Sequence, residues 1–160
     1  MAVGDRIKRI RQFRGLTQKE LGKLVGFDEK TADIRIAQYE SGTRKPKEDL
    51  INKLAEALEV NPCSISEPEE YTREDVMFSL FELDEQYRVS LKDIPDDEYP
   101  EMIHKAIHID DMPLEEFLTE WALRKKELAE GIISKSEYLE WKLNWPNTCD
   151  SVGKVKWRNP

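Results

Sequence analysis

The sequence predicts a mainly α-helical protein in two parts, an N-terminal domain of short helices and a mostly helical C-terminal region. Three observations support this prediction. Apolar residues recur every three or four positions along much of the chain, as in helices that bury one face. Residues that favour helix starts and helix ends flank these segments. An acidic stretch that contains proline, "ISEPEE", separates a basic N-terminal part from an acidic remainder.

The charge of the chain is divided between these two parts. The formal net charge is -8, but residues 1–47 hold 12 Lys and Arg against 6 Asp and Glu, a balance of +6. Residues 67–160 hold 12 against 23, a balance of -11. Opposite signs suggest that only the N-terminal part contacts a polyanion, although two merely solvated surfaces would also explain the difference.

The first two helices are bounded by clear local signals. Apolar residues at helical spacing in "VGDRIKRIRQFRG" predict a helix that Gly15 ends. Thr17 then serves as the N-cap of a second helix, and Glu20 three residues later completes a capping box. Gly26 ends this second helix.

A third helix is predicted over roughly residues 31–40, with Gly42 just after its end. Its start is open, because Asp28, Thr31 and Asp33 are each suitable N-caps. The segment "KEDLINKLAEALEV" predicts a fourth helix. Short helices joined by a glycine-containing turn are what a helix-turn-helix requires: one helix braces while the next enters the major groove of DNA.

Three segments in this order, "LTQKELGKLVG", "IAQYESGTRKP" and "LINKLAEALEV", resemble the phage-repressor (Cro-type, XRE-like) helix-turn-helix family of transcriptional regulators. The resemblance covers residues 4–66. It implies a five-helix, lambda-repressor-like DNA-binding domain that binds double-stranded DNA as a homodimer, on a two-fold operator. The chain departs from the family between Gly26 and Ile36, where it has a few more residues. Either the turn or the front of the third helix must therefore be longer here.

The predicted contacts with DNA follow from side-chain chemistry and position. Arg35 and Gln38 point outward on the third helix and carry donors suited to guanine and adenine edges. The N-terminus of the second helix would meet a phosphate, because exposed N–H groups and the helix dipole favour an anion. Cations after the third helix would lie along the DNA backbone and fix the register without contacting bases. The predicted DNA-binding residues are Thr17, Gln18, Lys30, Thr31, Arg35, Gln38, Thr43, Arg44, Lys45 and Lys47.

Two residues of the same helix have other expected roles. Glu40 is expected to pair within the domain, with Arg11 of the first helix as a candidate partner, because a carboxylate would repel a phosphate. Ile34 is suited either to a thymine methyl group or to the core, and the sequence leaves both open.

The C-terminal region predicts further helices and a small β-hairpin. "REDVMFSLFELDEQY" has the apolar period of a helix, while "RVSLKDI" and "KAIHIDD" alternate loosely and are compatible with paired strands. A long helix follows Asp111 as N-cap and ends at Gly131. Ser134 and Glu137 form a capping box for a last helix, "SKSEYLEWKLNWP".

These patterns divide the chain into a helix-turn-helix domain (1–66), a linker (67–73), an acidic, aromatic-rich accessory domain (74–147) and a tail (148–160) that lacks a period. The accessory domain is expected to dimerise or to bind a small-molecule or protein effector, with its aromatic residues mostly in the core. The predicted function is a transcriptional regulator, most simply a repressor. The alternative is an antitoxin-like DNA-binding protein whose C-terminal region binds a partner protein.

No pattern typical of an enzyme is present. The sequence lacks a Gly-rich phosphate loop and a nucleophile elbow. His104 and His108 are spaced four residues apart, but no Glu follows His104 and no Cys lies close, so surface or core histidines are expected. We therefore predict no catalytic residue, no metal and no cofactor. A metal-dependent enzyme built on these histidines and the acidic residues is the weaker alternative.

The sequence also predicts where the protein acts. Cys63 and Cys149 lie far apart, which indicates reduced thiols rather than a disulfide framework. The charged start lacks the apolar core of a signal peptide, and no apolar run approaches the ~20 residues that span a bilayer. We expect a cytoplasmic protein without membrane contacts.

Overall fold

The computed structural model describes residues 2–66 and 72–150, which fall into two compact units. Unit 1 combines the described residues before position 67 with those from Ser134 onward. Unit 2 lies between them in the chain and ends at Ile133. Residues 67–71 of the predicted linker and 151–160 of the predicted tail lie outside the described residues.

The two units are built mainly from helices. The described elements are α1 (Val3–Phe13), α2 (Gln18–Leu24), α3 (Ala32–Glu40), α4 (Glu48–Leu58), a 3-10 helix (Pro62–Ser64), α5 (Arg73–Gln86), β1 (Arg88–Pro95), β2 (Ile103–Asp110), α6 (Met112–Ala129) and α7 (Lys135–Leu143).

Local capping chemistry sets the helix boundaries. Capping boxes begin α2, α5 and α7, where Thr17, Thr72 and Ser134 each accept a hydrogen bond from the backbone N–H three positions later. After α2 and α3, Gly26 and Gly42 take φ values of 88° and 73°, a conformation that glycine adopts without a steric cost. The predicted mainly α-helical fold is therefore confirmed.

The core of unit 1 is formed jointly by its N-terminal helices and by α7. Leu143 of α7 is 3% exposed and belongs to the same apolar cluster as residues of α1, α2, α3 and α4. The sequence-based division places α7 in the accessory domain, whereas the structure packs it on unit 1. The partly buried Leu139 lies four residues before Leu143, on the same face of α7. The buried members of the cluster are Ile7, Ile10, Leu21, Val25, Ile36, Leu54, Ala55, Leu58, Val60, Ile65 and Leu143.

Unit 2 consists of α5, an antiparallel hairpin of β1 and β2, and α6. The register pairs Leu91 with Ile107, which confirms the predicted hairpin. The expectation that aromatic residues of the C-terminal region lie in a core is wrong for α5, where Phe78 and Phe81 are 68% and 54% exposed. It holds for Trp141 of α7, which is 5% exposed.

Candidate nucleic-acid interface

Helices α2 and α3 cross at very short range. A Cβ atom added to Gly22 would lie 2.6 Å from the carbonyl oxygen of Ala32 and 2.7 Å from its Cβ. No side chain fits in that space, so the absence of one at Gly22 lets α3 approach α2 this closely. The crossing fixes the position of α3 relative to the helix that braces it.

The turn between these helices lies in the segment where extra residues are expected. The Asp28 carboxylate accepts the backbone N–H of Lys30 at 2.9 Å, and its carbonyl oxygen accepts the N–H of Thr31 at 2.9 Å. Thr31 occupies the N-cap position of α3, although its side chain makes no capping hydrogen bond. The residues between Leu24 and Ala32 therefore form a turn, and Lys30 and Thr31 lie before the helix with exposed side chains.

The outward face of α3 presents an arginine that is held by an aromatic ring. The Arg35 guanidinium carbon lies 5.2 Å from the centre of the Phe27 ring, and this ring stacks on Tyr39 with a centroid distance of 6.3 Å. Arg35 is exposed and Gln38 is half-buried. Ile34 is 55% exposed, which removes it from the core.

A buried ion pair fastens α3 to α1. Arg11 Nε donates to Glu40 Oε1 at 2.6 Å, and Arg11 Nη2 donates to Oε2 at 3.0 Å. The two side chains are only 10% and 4% exposed. The hydrogen bonds that Arg11 donates to Glu40, with a further contribution from the negative charge of Glu40, raise the pKa of Arg11. The predicted pairing of Glu40 within the domain is present, and it fixes the C-terminal end of α3.

Thr17 and Gln18, the two candidate phosphate contacts at the start of α2, already donate hydrogen bonds within the domain. The Thr17 N–H and hydroxyl both donate to Glu20 Oε2, each at 2.7 Å, so Thr17 acts as the N-cap and no donor remains for a phosphate. The Gln18 amide donates to Glu40 Oε2 at 2.8 Å. An amide group has two N–H donors, and this bond uses one of them.

Exposed polar and basic residues follow α3, and two of the lysines line a hollow. Thr43, Arg44, Lys45 and Lys47 are all exposed. The hollow has a volume of about 370 Å³ and will be called the lysine-rimmed hollow. It is lined by Val25, Phe27, Tyr39, Lys45, Lys47, Asp49, Leu50 and Lys53.

Sequence comparison identifies the same segment. A family model described as a helix-turn-helix domain matches residues 4–64. Residues 4–64 form a helix-turn-helix domain. No curated protein matches the chain. A solved structure described as the crystal structure of transcriptional regulator BswR is 33% identical, with 54% of this chain and 94% of that chain covered, at a TM-score of 0.40. That TM-score is too low to establish a common overall fold.

All ten predicted DNA-binding residues lie in the helix-turn-helix domain. Eight of them are exposed, and Gln18 and Gln38 are half-buried. Lys53 of α4 lines the lysine-rimmed hollow but was not predicted. No sequence signal distinguishes it from other exposed lysines, because its place in the hollow depends on how α4 packs within unit 1.

Sequence reasoning also missed the link between the helix-turn-helix domain and α7. Arg14 donates to Glu140 Oε2 at 2.6 Å and to the carbonyl oxygens of Leu58 and Glu59 at 2.7 and 2.9 Å. Asn144 donates to the Glu59 carbonyl at 3.0 Å. Arg14, the C-cap residue of α1, therefore contacts both the C-terminal end of α4 and α7.

The structure also bears on metals and membranes. His104 and His108 lie on strand β2, where four residues span roughly 13 Å, too far for both to bind one ion. Within residues 2–66 and 72–150, no cluster of three or more His, Cys, Asp and Glu side chains could hold a metal ion. No helix in the same described residues is long and apolar enough to cross a bilayer.

Proposed function

We propose that the protein is a sequence-specific DNA-binding transcriptional regulator of the phage-repressor type, a repressor that acts in the cytoplasm. It binds a two-fold operator as a homodimer through α3. The observation that carries the proposal is Arg35, an exposed arginine on the second helix of the helix-turn-helix, positioned by Phe27 and followed along the chain by exposed cations. A helix placed in this way is the element that enters the major groove.

Arg35 is suited to contact a guanine. The Arg35 guanidinium carbon lies 5.2 Å from the centre of the Phe27 ring, a cation–π contact that helps to position the side chain, and the N–H donors of a guanidinium lie in its plane. Those donors form the fork that binds O6 and N7 of guanine. Gln38, one turn further along α3, supplies the donor and acceptor pair that suits adenine.

The remaining predicted contacts act on the DNA backbone. Lys30 and Thr31 lie in the turn before α3, and the second N–H of the Gln18 amide serves a phosphate beside α2. Thr43, Arg44, Lys45 and Lys47 follow α3. We add Lys53, because it lines the lysine-rimmed hollow together with Lys45 and Lys47. Such contacts set affinity and register, and they make binding depend strongly on salt concentration.

The operator follows from the symmetry of the dimer. Two copies related by a two-fold axis present two α3 helices to successive major grooves, about 34 Å apart. Repression results when this complex occupies a promoter and excludes other proteins from it.

The test is selection of bound sequences from random duplex DNA by the full chain, with three variants. The native chain should enrich a two-fold motif. Arg35→Ala should lose roughly 1–3 kcal/mol of binding free energy and relax one base position in each half of that motif. Lys45→Ala should weaken all sequences equally and reduce the salt dependence by about one phosphate.

Lys135→Ala is the matched control, since it removes an exposed cation of unit 1 that lies on α7, outside the helix-turn-helix domain. It should bind as the native chain does. Salt-sensitive binding without any enriched motif would reject sequence-specific recognition. An Arg35→Ala variant that keeps the native motif would reject the role given to α3.

A further inference from the structure

The floor of the lysine-rimmed hollow is apolar. Val25 lines it and is 6% exposed, as a member of the core of unit 1. Phe27, Tyr39 and Leu50 also line it, and they are partly buried against that core. The rings of Phe27 and Tyr39 lie nearly parallel, with an interplanar angle of 19°. The parts of these side chains that the core leaves uncovered therefore offer aromatic and aliphatic surface to a molecule in the hollow.

The rim of the hollow carries an excess of positive charge. Lys45, Lys47 and Lys53 line the hollow, and all three are exposed. Asp49 lines it as well and contributes a carboxylate. Among the described residues, three lysines thus stand against one carboxylate beside the apolar floor. The electrostatic field of such a rim favours an anionic group over a cationic one.

Binding of DNA accounts for the rim of the hollow but not for its floor. Contacts with the DNA backbone are made by cations and hydrogen-bond donors, and they require no apolar surface. Sites for small organic molecules, in contrast, are hollows with a mostly apolar lining and a few polar or charged groups that orient the ligand. The volume of about 370 Å³ is at the lower end of the range of such sites, roughly 300–1,000 Å³. The lysine-rimmed hollow therefore has the size and composition of a site for a small ligand.

We propose that the lysine-rimmed hollow is an effector site for a small organic anion with a flat, apolar body, of the aromatic carboxylate class. The body lies against Phe27, Tyr39 and Leu50, and the carboxylate pairs with the lysines of the rim. This site belongs to the helix-turn-helix domain, whereas the sequence analysis expected an effector in the accessory domain. The effect of the ligand on DNA rests on the proposed function, but occupation of the hollow does not.

A bound anion opposes DNA binding through charge. The proposed function assigns Lys45, Lys47 and Lys53 to the DNA backbone, so the carboxylate of the ligand and the phosphates of DNA compete for the same cations. Each lysine that pairs with the ligand neutralises one phosphate fewer, which lowers both the affinity for DNA and its salt dependence. The ligand therefore releases the protein from DNA.

The floor of the hollow also connects it to the arginine proposed to contact a base. The Phe27 ring lines the hollow, and its centre lies 5.2 Å from the Arg35 guanidinium carbon. A ligand that packs on this ring thus contacts the residue that positions Arg35. Since coupling between two binding sites is reciprocal, DNA must weaken the binding of the ligand by the same factor by which the ligand weakens the binding of DNA.

The first experiment measures ligand binding to the full chain without DNA, by NMR on isotope-labelled protein. The probe is cinnamate, compared with cinnamamide, which has the same body without the charge, and with acetate, which has the charge without the body. Cinnamate should shift the amide signals of residues that line the hollow and bind about fivefold or more tightly than either comparison compound. Residue-specific signals separate this site from the exposed apolar side chains of unit 2, such as Phe78.

A matched pair of variants tests the lysines of the rim. The double variant Lys47→Gln, Lys53→Gln removes two cations that line the hollow. The control Lys8→Gln, Lys135→Gln removes two exposed cations of unit 1 that lie on α1 and α7. The first variant should raise the dissociation constant of cinnamate about fivefold, because it deletes two solvent-exposed ion pairs, and the control should leave it unchanged.

The second experiment adds the duplex selected from random DNA, or unselected duplex at low salt if no motif is enriched, because the lysines contact the backbone of either. Saturating cinnamate should raise the dissociation constant of the DNA complex about tenfold, and saturating DNA should weaken cinnamate by the same factor. Cinnamamide, at the same concentration, should leave DNA binding unchanged.

Four outcomes overturn the proposal. The first is no binding of cinnamate at millimolar concentration, or shifts confined to residues outside the hollow. The second is acetate or cinnamamide that binds as tightly as cinnamate. The third is a Lys47→Gln, Lys53→Gln variant with native affinity for cinnamate. The fourth is DNA affinity that bound cinnamate leaves unchanged, which rejects the regulatory effect. A chain that binds cinnamate in the hollow but enriches no DNA motif supports the site and rejects only sequence-specific recognition.

Discussion

Replacement of Arg11 by Ala should strongly destabilise unit 1. In the native chain, two nitrogens of Arg11 and the amide nitrogen of Gln18 donate to the Glu40 carboxylate, which is 4% exposed. Of these three donors, the change leaves only the Gln18 amide. It also removes the hydrogen bond of 2.7 Å from Arg11 Nη1 to the carbonyl oxygen of Leu16. Loss of one partner of a buried ion pair costs about 3–5 kcal/mol, because the remaining charge is buried without compensation.

Urea denaturation with hydrogen exchange measured on peptides from α1 to α4 reports the free energy of unfolding of unit 1 directly. With a denaturant dependence of roughly 2 kcal/mol per molar urea, the midpoint should fall by about 2 M. Arg9→Ala is the matched control, since Arg9 is an exposed arginine of the same helix, and it should change the stability by less than about 0.5 kcal/mol.

The double variant Arg11→Ala, Glu40→Gln separates the charge from the packing. A neutral amide at position 40 removes the uncompensated carboxylate, so the double variant should be less destabilised than the sum of the single changes. If Arg11→Ala is no more destabilising than Arg9→Ala, or if the two changes simply add, then the ion pair does not fasten α3 to α1.

Three further predictions concern the same unit. Gly22→Ala should cost about 1–3 kcal/mol of unfolding free energy and weaken DNA binding, because the new Cβ would lie 2.6 Å from the Ala32 carbonyl oxygen. Thermal unfolding measures this cost. An unchanged melting temperature would contradict the close crossing of α2 and α3. Arg14→Ala should release α7 and shift the fluorescence of its buried tryptophan to longer wavelength, and an unshifted spectrum would show that α7 packs without it. Thr17→Ala should cost about 1 kcal/mol of unfolding free energy at neutral pH. The Thr17 backbone N–H, followed by its hydroxyl, lowers the pKa of Glu20. The bond from the hydroxyl to this carboxylate is present above the unfolded-state pKa and is lost as the pH falls through the folded-state pKa, whereas the N-cap bond from the Glu20 N–H to the hydroxyl does not titrate. The difference from the native chain should therefore shrink in acid without vanishing, and a difference that grows in acid would contradict this reasoning.

The sequence by itself determined the features that depend on residues a few positions apart. The capping boxes at Thr17 and Ser134, the glycine stops and the apolar periods each involve one turn of chain, so the helices and the hairpin could be predicted from local chemistry. The pairing of Glu40 with Arg11 could also be anticipated, because electrostatic repulsion from phosphate excludes a carboxylate from the DNA side.

Only the tertiary structure decided which surfaces these elements share. The packing of α7 on unit 1 joins Arg14 to Glu140 across 126 positions of the chain, and no local pattern specifies such a contact. The ring of Phe27 beneath Arg35 and the place of Lys53 in the lysine-rimmed hollow likewise result from how helices cross. In unit 2 the sequence indicated apolar faces but not what covers them. Periodicity shows which side of a helix avoids water, whereas the partner that buries it is set by packing in three dimensions.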